Sequence, residues 1–405
     1  MVTFVKASPA LVRTISVVVL LSCLLTGCWD RIEVNDVAFV LASATDIDQG
    51  QIRSTTQIAL PSSLGGAGSQ GGGGGTSGNK TYLLVSQTAP TAYQANKKVQ
   101  DSLSRVINFS HRRVTILGEE FAKSGISESI DIWARFPQNR LTTYIVLSRG
   151  PGYKLLDIDA PIEQSPSEMI RELAKSSMQE PISIQSLANA LLTEGSDIAL
   201  PVMVTTLSVP EKVANGQSLV KLDGLGVFHG DKLSGYLTDK QTPMALIAMG
   251  QALNPKITVV LGEHQPQESA TIVLNQIHRK VQPHLKDERI SFDLEIEATG
   301  LILENTTRQS FEHTMMISLE KHANALLDKE IQAVIQETFQ KHRADIYGFS
   351  TALIRKYPEE WNKIKYRWRD LLPEVEVRVR TKVHLENSGE LIDSLGIKEG
   401  LLKND

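Results

Sequence analysis

Residues 375–385 read Val-Glu-Val-Arg-Val-Arg-Thr-Lys-Val-His-Leu. Val375, Val377, Val379, Thr381, Val383 and Leu385 alternate with Glu376, Arg378, Arg380, Lys382 and His384. A strict period of two puts the apolar set on one face of a strand and the charged set on the other. Asn387-Ser388-Gly389 closes it with turn residues. Upstream, Ile290, Phe292, Leu294 and Ile296 alternate with Ser291, Asp293, Glu295 and Glu297, which predicts a second half-buried strand. Between the two lies a helical tract from about Leu319 to Asp370, interrupted near Tyr347-Gly348 and Pro358. Its Ala325, Ile331, Ile335 and Phe339 mark an apolar stripe. The C-terminal part is therefore expected to be α+β: an antiparallel sheet with one long helix and shorter helices packed on one face.

Working upstream, Leu222–Phe228 and Leu233–Leu237 flank Gly230-Asp231, a hairpin signal, and Pro243–Met249 starts a short helix. The character shifts around Asn215-Gly216, so a boundary is placed between an N-terminal mixed domain, 28–210, and a C-terminal domain, 218–392. Residues 393–405 form a tail. Within the first part, Val37–Ala44 and Ile52–Leu60 flank the turn-rich Asp46-Ile-Asp48-Gln-Gly50 and read as a hairpin. Two acids with Gly50 and no distal Glu do not make a calcium loop. Residues 64–78 hold nine glycines. No Lys-Ser/Thr or helix start follows, so this is not a phosphate cradle. The tract 64–79 is expected to be a disordered loop inside the first domain, because the strand-like Thr81–Ser86 needs partners. Ala92, Ala95, Val99, Leu103 and Val106 have helical spacing, with Thr88 or Thr91 as cap. Val114–Leu117, Leu141–Leu147 and Ala199–Leu207 read as strands. Ile126–Phe136, Pro166–Gln179 and Ile184–Leu192 read as helices. Strands outnumber the crossovers that a doubly wound sheet needs, so the sheets are expected to be mixed or antiparallel.

The chain has 405 residues, 41% hydrophobic and 22% charged, with a net charge of −4. Such a balance is ordinary for globular domains and gives no basic face for nucleic acid. Candidate chemistry is sparse. His278 and His284 are six apart, His313 and His322 lack a spaced carboxylate, and no His-Glu-x-x-His occurs, so no metal site is expected. No Gly-x-Ser-x-Gly elbow appears. Glu119-Glu120 and Glu359-Glu360 point about 100° apart on a helix and suit solvated helix starts. His111-Arg112-Arg113 admits two readings, an anion or headgroup contact or a solvated strand edge. The helical stripe of Tyr357, Trp361, Ile364 and Trp368 reads more readily as core than as a docking face. No cofactor and no catalytic residue are expected, and the chain is not read as an enzyme.

The N-terminus supplies the functional signal. Lys6 and Arg13 precede the apolar run Ile15–Leu25, about 17 Å long as a helix against a bilayer core of about 30 Å. This is a secretory signal, too short to span. It ends in Leu25-Thr26-Gly27-Cys28, which resembles a lipobox. Cleavage after residue 27 would leave Cys28 as the first mature residue, carrying an S-diacylglycerol and an N-acyl chain. Two or three chains hold a protein on a bilayer durably where one does not. Without residues 1–27 the chain carries 40 basic and 46 acidic residues, so attachment rests on lipid rather than charge. Of the only two cysteines, Cys23 leaves with the signal and Cys28 is acylated, so no disulfide forms.

Taken together, Gly27-Cys28-Trp29-Asp30-Arg31-Ile32-Glu33, Ala38-Phe39-Val40, His111, Ile116-Leu117-Gly118-Glu119-Glu120, Gly125-Ile126, Arg135 and Arg140 resemble one family. So do Gly224-Leu225-Gly226-Val227-Phe228, Lys232-Leu233-Ser234-Gly235, Asp345-Ile346-Tyr347-Gly348-Phe349, Tyr357-Pro358, Trp361, Trp368 and Leu372-Pro373. The family is the Ger(x)C lipoproteins, the C subunits of spore germinant receptors. The resemblance implies a mixed α/β, multi-domain architecture, with room for a separate middle domain around 165–210. It implies a place on the outer face of the spore inner membrane beside integral-membrane A and B subunits, and a role in nutrient-triggered germination through protein contacts. Only Cys28 is carried over as a site residue. An extracytoplasmic solute-binding lipoprotein of a transporter is the alternative. It calls for two α/β lobes around a cleft, whereas the long alternating strands suggest open sheets. A wall-degrading hydrolase would need a placed acid pair or metal set.

Overall fold

The computed structural model describes residues 8–24, 33–60, 81–158, 160–208, 218–261, 268–286, 289–306 and 313–387. Cys28, the tract 64–79 and the tail 393–405 lie outside the described residues. The helix α1 (Pro9–Leu24) covers residues 15–24 of the N-terminal apolar run. Among the described residues no helix is long and apolar enough to cross a membrane.

The chain then builds a nine-stranded sheet. Its strands are β1 (Val37–Asp48), β2 (Gln51–Ala59), β3 (Tyr82–Ala89), β4 (Val106–Asn108), β5 (Val114–Leu117), β6 (Tyr144–Ser148), β7 (Ala199–Leu207), β8 (Ser218–His229) and β9 (Lys232–Leu237). The order is β3-β2-β1-β5-β6-β7-β8-β9, with β4 beside the start of β1. Strands β1, β5, β6 and β7 run parallel, and antiparallel pairs extend both edges. Crossovers between parallel neighbours are helical: α2 (Ala92–Asp101), α3 (Glu119–Ser124), α4 (Ser127–Arg135), α5 (Tyr153–Leu156), α6 (Pro166–Ser177) and α7 (Ile184–Leu192). Thr91, not Thr88, caps α2, its hydroxyl accepting from Gln94 N at 3.2 Å.

Because the parallel strands are covered on both sides, they read as short continuous apolar runs rather than alternations. Leu117, Ile145, Leu147 and Val202 face α3, α4 and α7. Ala44, Val114, Ile116, Val146 and Met203 face α5 and α6. The one-face helix packing expected from sequence thus describes the second sheet, while the first is sandwiched. The elements within 165–210 belong to this same layer, since β7 pairs with β6.

The second sheet contains β10 (Lys256–Val260), β11 (Ser269–Lys286), β12 (Arg289–Asn305) and β13 (Glu376–Asn387). Helix α8 (Gln241–Met249) precedes it, and α9 (His313–Glu337), α10 (Phe349–Lys356), α11 (Pro358–Ile364) and α12 (Trp368–Leu371) separate β12 from β13. The sheet is mixed rather than antiparallel throughout: β13 runs parallel to β12, Phe292 beside Val377 and Leu294 beside Val379. The reason is the helical tract between them, which carries the chain back to its starting end before it re-enters the sheet.

The helix α9 also finishes that sheet. The outer N–H row of β13 is an open edge. Glu320, Asn324 and Asp328, spaced by four along α9, accept from Leu385 N (2.8 Å), Val383 N (2.8 Å) and Thr381 N (2.6 Å). The spacing of polar residues down one helix face thus matches alternate residues of the strand.

One hairpin changes company. Residues 218–237, assigned by sequence to the C-terminal domain, pair as β8–β9 with β7 and complete the first sheet.

Candidate functional site

In an open sheet with a parallel centre, the carboxyl ends of the strands are the usual ligand crevice. Here the protein fills that place itself. Asp46, near the end of β1, accepts from Gly152 N (2.6 Å) and Tyr153 N (3.1 Å), the first amides of α5. Burial pushes its carboxyl up from the ordinary range, and the two N–H bonds and Arg53 pull against that shift. Gly118, just beyond β5, lies so close that a Cβ would sit 1.9 Å from Asp46 Oδ1. Glu119 Oε2 accepts from Gly150 N at 2.8 Å. The paired acid Asp48, by contrast, bridges Arg53 across the hairpin. Asp46-Ile-Asp48 is therefore a turn and a clamp rather than a cation loop.

The second polar centre joins the two sheets. Asp197, immediately before β7, accepts from Gly230 N (2.7 Å) in the β8–β9 turn, Asp345 N (3.0 Å) and Arg369 Nη2 (2.7 Å). Asp345 accepts in turn from Tyr347 N (3.2 Å), Phe349 N (3.1 Å) and Ser350 N (2.6 Å), organising the bend into α10. Its carboxyl is pushed up chiefly by burial. Glu194 accepts from Trp361 Nε1 (3.1 Å) and Lys365 Nζ (2.7 Å). Gly195 lies under Trp361 with φ +74°, and a Cβ there would come within 2.5 Å of the ring. His342, at the end of the helical turn Thr338–His342 that follows α9, closes the junction, Nδ1 3.1 Å from Ser234 Oγ. Burial lowers its pKa.

Most sequence-nominated residues fall into plain structural places. Trp361 and Trp368 are core, 2% and 1% exposed, with rings 5.6 Å apart. His278 and His284 lie on one strand, and His284 pairs with Asp293 at 2.9 Å. His322 bonds the Ser318 carbonyl. Glu119-Glu120 and Glu359-Glu360 occupy first turns of helices. Among the described residues no group of three His, Cys, Asp or Glu is placed to hold a metal.

The triplet His111-Arg112-Arg113 splits. His111 is exposed, edge-on to Phe39, and Arg113 lies 3.8 Å from Glu168. Arg112 is turned inward and only 4% exposed. Its Nη1 donates to Ser43 Oγ (3.2 Å) and Nη2 to Asn139 Oδ1 (3.0 Å). The guanidinium carbon stands 5.5 Å from the Phe109 ring centre and 5.6 Å from that of Trp133. Burial draws its pKa down to about 10, still charged at neutral pH. The only sequence signal is the alternation, which puts Arg112 opposite its neighbours.

Sequence comparison adds a different kind of finding. Residues 30–205 match the spore germination protein N-terminal domain, and residues 223–389 the spore germination B3/GerAC-like C-terminal domain. YfkR, a Bacillus subtilis (strain 168) protein named for spore germination, is 38% identical over 93% of this chain and 96% of its own length. Spore germination protein KC of the same organism is 24% identical over 93% of this chain and 95% of its own. The crystal structure of the GerBC protein superposes with a TM-score of 0.56 at 17% identity, covering 85% of this chain and 97% of that one. At that identity the match speaks for the fold, which it shares across both sheets.

Proposed function

The chain belongs to the GerAC-like family of spore germination proteins, and on that premise we propose that it is the lipid-anchored subunit of a germinant receptor. In this reading Cys28 carries the acyl chains, and the two-sheet body sits at the outer face of the spore inner membrane. There it works through contacts with integral-membrane A and B subunits, without turning over a substrate. The single observation that carries the reading is full-length similarity to spore germination proteins, spanning both domain types in order. The physical argument for the anchor is the run Ile15–Cys28: it is too short to span but ends in an acylation pattern. At the carboxyl end of β1 Asp46 holds the amides of Gly152 and Tyr153, which is in keeping with a subunit that works through contacts.

The test is fractionation. Cys28→Ala is expected to move the protein out of the detergent-phase membrane fraction, or leave it as the uncleaved precursor, and to slow nutrient-triggered germination. Unchanged membrane partition of a correctly cleaved variant would refute the anchor. Retained germination with full loss of anchoring would refute its purpose.

A further inference from the structure

A pocket of about 230 Å³ opens on the first sheet between α2, the segment after β4, and α4. Its volume equals that of about seven or eight liquid waters. Arg112 and Asn139 line it, the rings of Phe109, Trp133 and Phe136 supply apolar walls, and Lys97 stands at its rim. We propose that this pocket binds a small organic monocarboxylate, its carboxylate on Arg112 and its apolar body between the aromatic rings.

The argument starts from a charge without a counter-charge. A buried arginine is costly unless its donors are met: the half-exposed Arg369 meets the carboxylate of Asp197, and the largely buried Arg279 spends its Nη donors on the Met249 and Tyr347 carbonyls. Arg112 has no carboxylate within ion-pair distance among the described residues. Its acceptors, Ser43 Oγ and Asn139 Oδ1, are neutral and take two of the five guanidinium N–H groups. Its Nε is buried with no acceptor. An unmet donor on a buried cation is costly unless something else meets it. The two aromatic faces compensate the charge in part but accept no N–H.

The remaining donors define the ligand. A guanidinium fork matches a planar carboxylate with two parallel bonds. The walls favour an apolar or aromatic body over a highly hydrated polyanion, and the small volume favours about ten heavy atoms or fewer. Lys97 adds positive potential at the mouth. The residues are also held in place: Asn139 Nδ2 donates to the Trp133 carbonyl (3.0 Å), and Gln100 fixes the β4 segment through Ile107 N (2.8 Å). A cation already oriented in a partly desolvated site loses little freedom on binding. The inference does not depend on the receptor reading, and its test does not touch the anchor.

The full-length chain in detergent is titrated calorimetrically with benzoate, with benzamide as the neutral isostere and inorganic phosphate as the hydrated anion. Saturable heat is expected with benzoate, with benzamide and phosphate each weaker by about tenfold or more. Arg112→Met is expected to abolish the benzoate heat while the chain stays folded by circular dichroism. Lys97→Glu, at an exposed position that should not affect folding, is expected to weaken benzoate severalfold and leave benzamide unchanged; it decides the matter if Arg112→Met does not fold. No saturable heat with benzoate would overturn the proposal. So would equal affinity for benzamide, tighter binding of phosphate, or benzoate affinity untouched by either variant.

Discussion

Two arginines of this molecule, one half-exposed and one buried, are answered in opposite ways. At the junction of the sheets, Arg369 meets Asp197, which also takes the N–H groups of Gly230 and Asp345. Under α2 and α4, Arg112 meets a hydroxyl, an amide oxygen and two rings, but no carboxylate. The first arrangement is closed and serves the fold. The second leaves donor capacity unspent at the edge of a cavity. Arg279 too has only neutral partners, the Met249 and Tyr347 carbonyls, so it is the cavity beside Arg112, together with its unspent donors, that argues for something arriving from outside.

The contrast predicts opposite outcomes for similar deletions. Asp197→Ala leaves Arg369 unmatched and two backbone N–H groups without their acceptor, so unfolding stability should fall by about 3 kcal/mol. Arg369 is partly exposed, which tempers the cost relative to a wholly buried pair. Chemical denaturation measures it, and a loss under about 1 kcal/mol would mean that the junction is held by its aromatic core rather than by Asp197. Arg112→Met removes a desolvated cation without orphaning any carboxylate. Stability within about 1 kcal/mol of the parent, or above it, is expected. A loss like that of Asp197→Ala would erase the distinction between the two sites.

The same contrast explains what was legible in the sequence. Alternation in 290–297 and 375–385 announced the second sheet, because those strands have one wet face. Ile184–Leu192 and Ala199–Leu207 were read to the residue. The strand Ser269–Lys286 was not: two irregular registers, at Thr271/Ile272 and Asn275/His278, break its period. The parallel direction of β13 depends on a crossover of some seventy residues, which no local pattern encodes. The junction shows the same division. Asp345-Ile346-Tyr347-Gly348-Phe349 and Trp361 carry part of the family resemblance, yet what they do is set by Asp197 and Glu194, far away in the chain. Asp46 looked like turn chemistry because its partners, Gly152 and Tyr153, belong to another loop. Pairing across long separations is invisible to spacing rules, and both polar centres are made of it.

A smaller effect probes the junction by pH. Burial holds the His342 imidazole below its ordinary pKa of about 6.5. Lys341 disfavours its charge, and Glu337 and the Ser234 bond favour it. The unfolded chain therefore binds this proton more readily than the folded one, so the contribution of His342 is complete above about pH 6.5 and is lost as pH falls below it. Melting temperature should drop between pH 7 and pH 5, and His342→Gln should flatten that slope while costing little at pH 7.5. An unchanged slope would assign the acid sensitivity to the carboxylates instead.

The smallest effect concerns the glycine tract. The tract lies outside the described residues, but the strands on either side of it lie within them. Ala59 pairs with Tyr82, and Leu60 N donates to Thr81 O at 2.9 Å. The ends of the intervening segment are therefore pinned by the β2–β3 ladder, and its length enters stability only through closing a loop. Removing Gly71–Gly75 shortens it from about 20 to about 15 residues, worth about 0.3 kcal/mol on the logarithmic closure law and in the stabilising direction. A clear fall in melting temperature would show that the glycines make contacts the closure picture leaves out. It would also move this region to the same side of the comparison as the junction, where the chain answers its own groups.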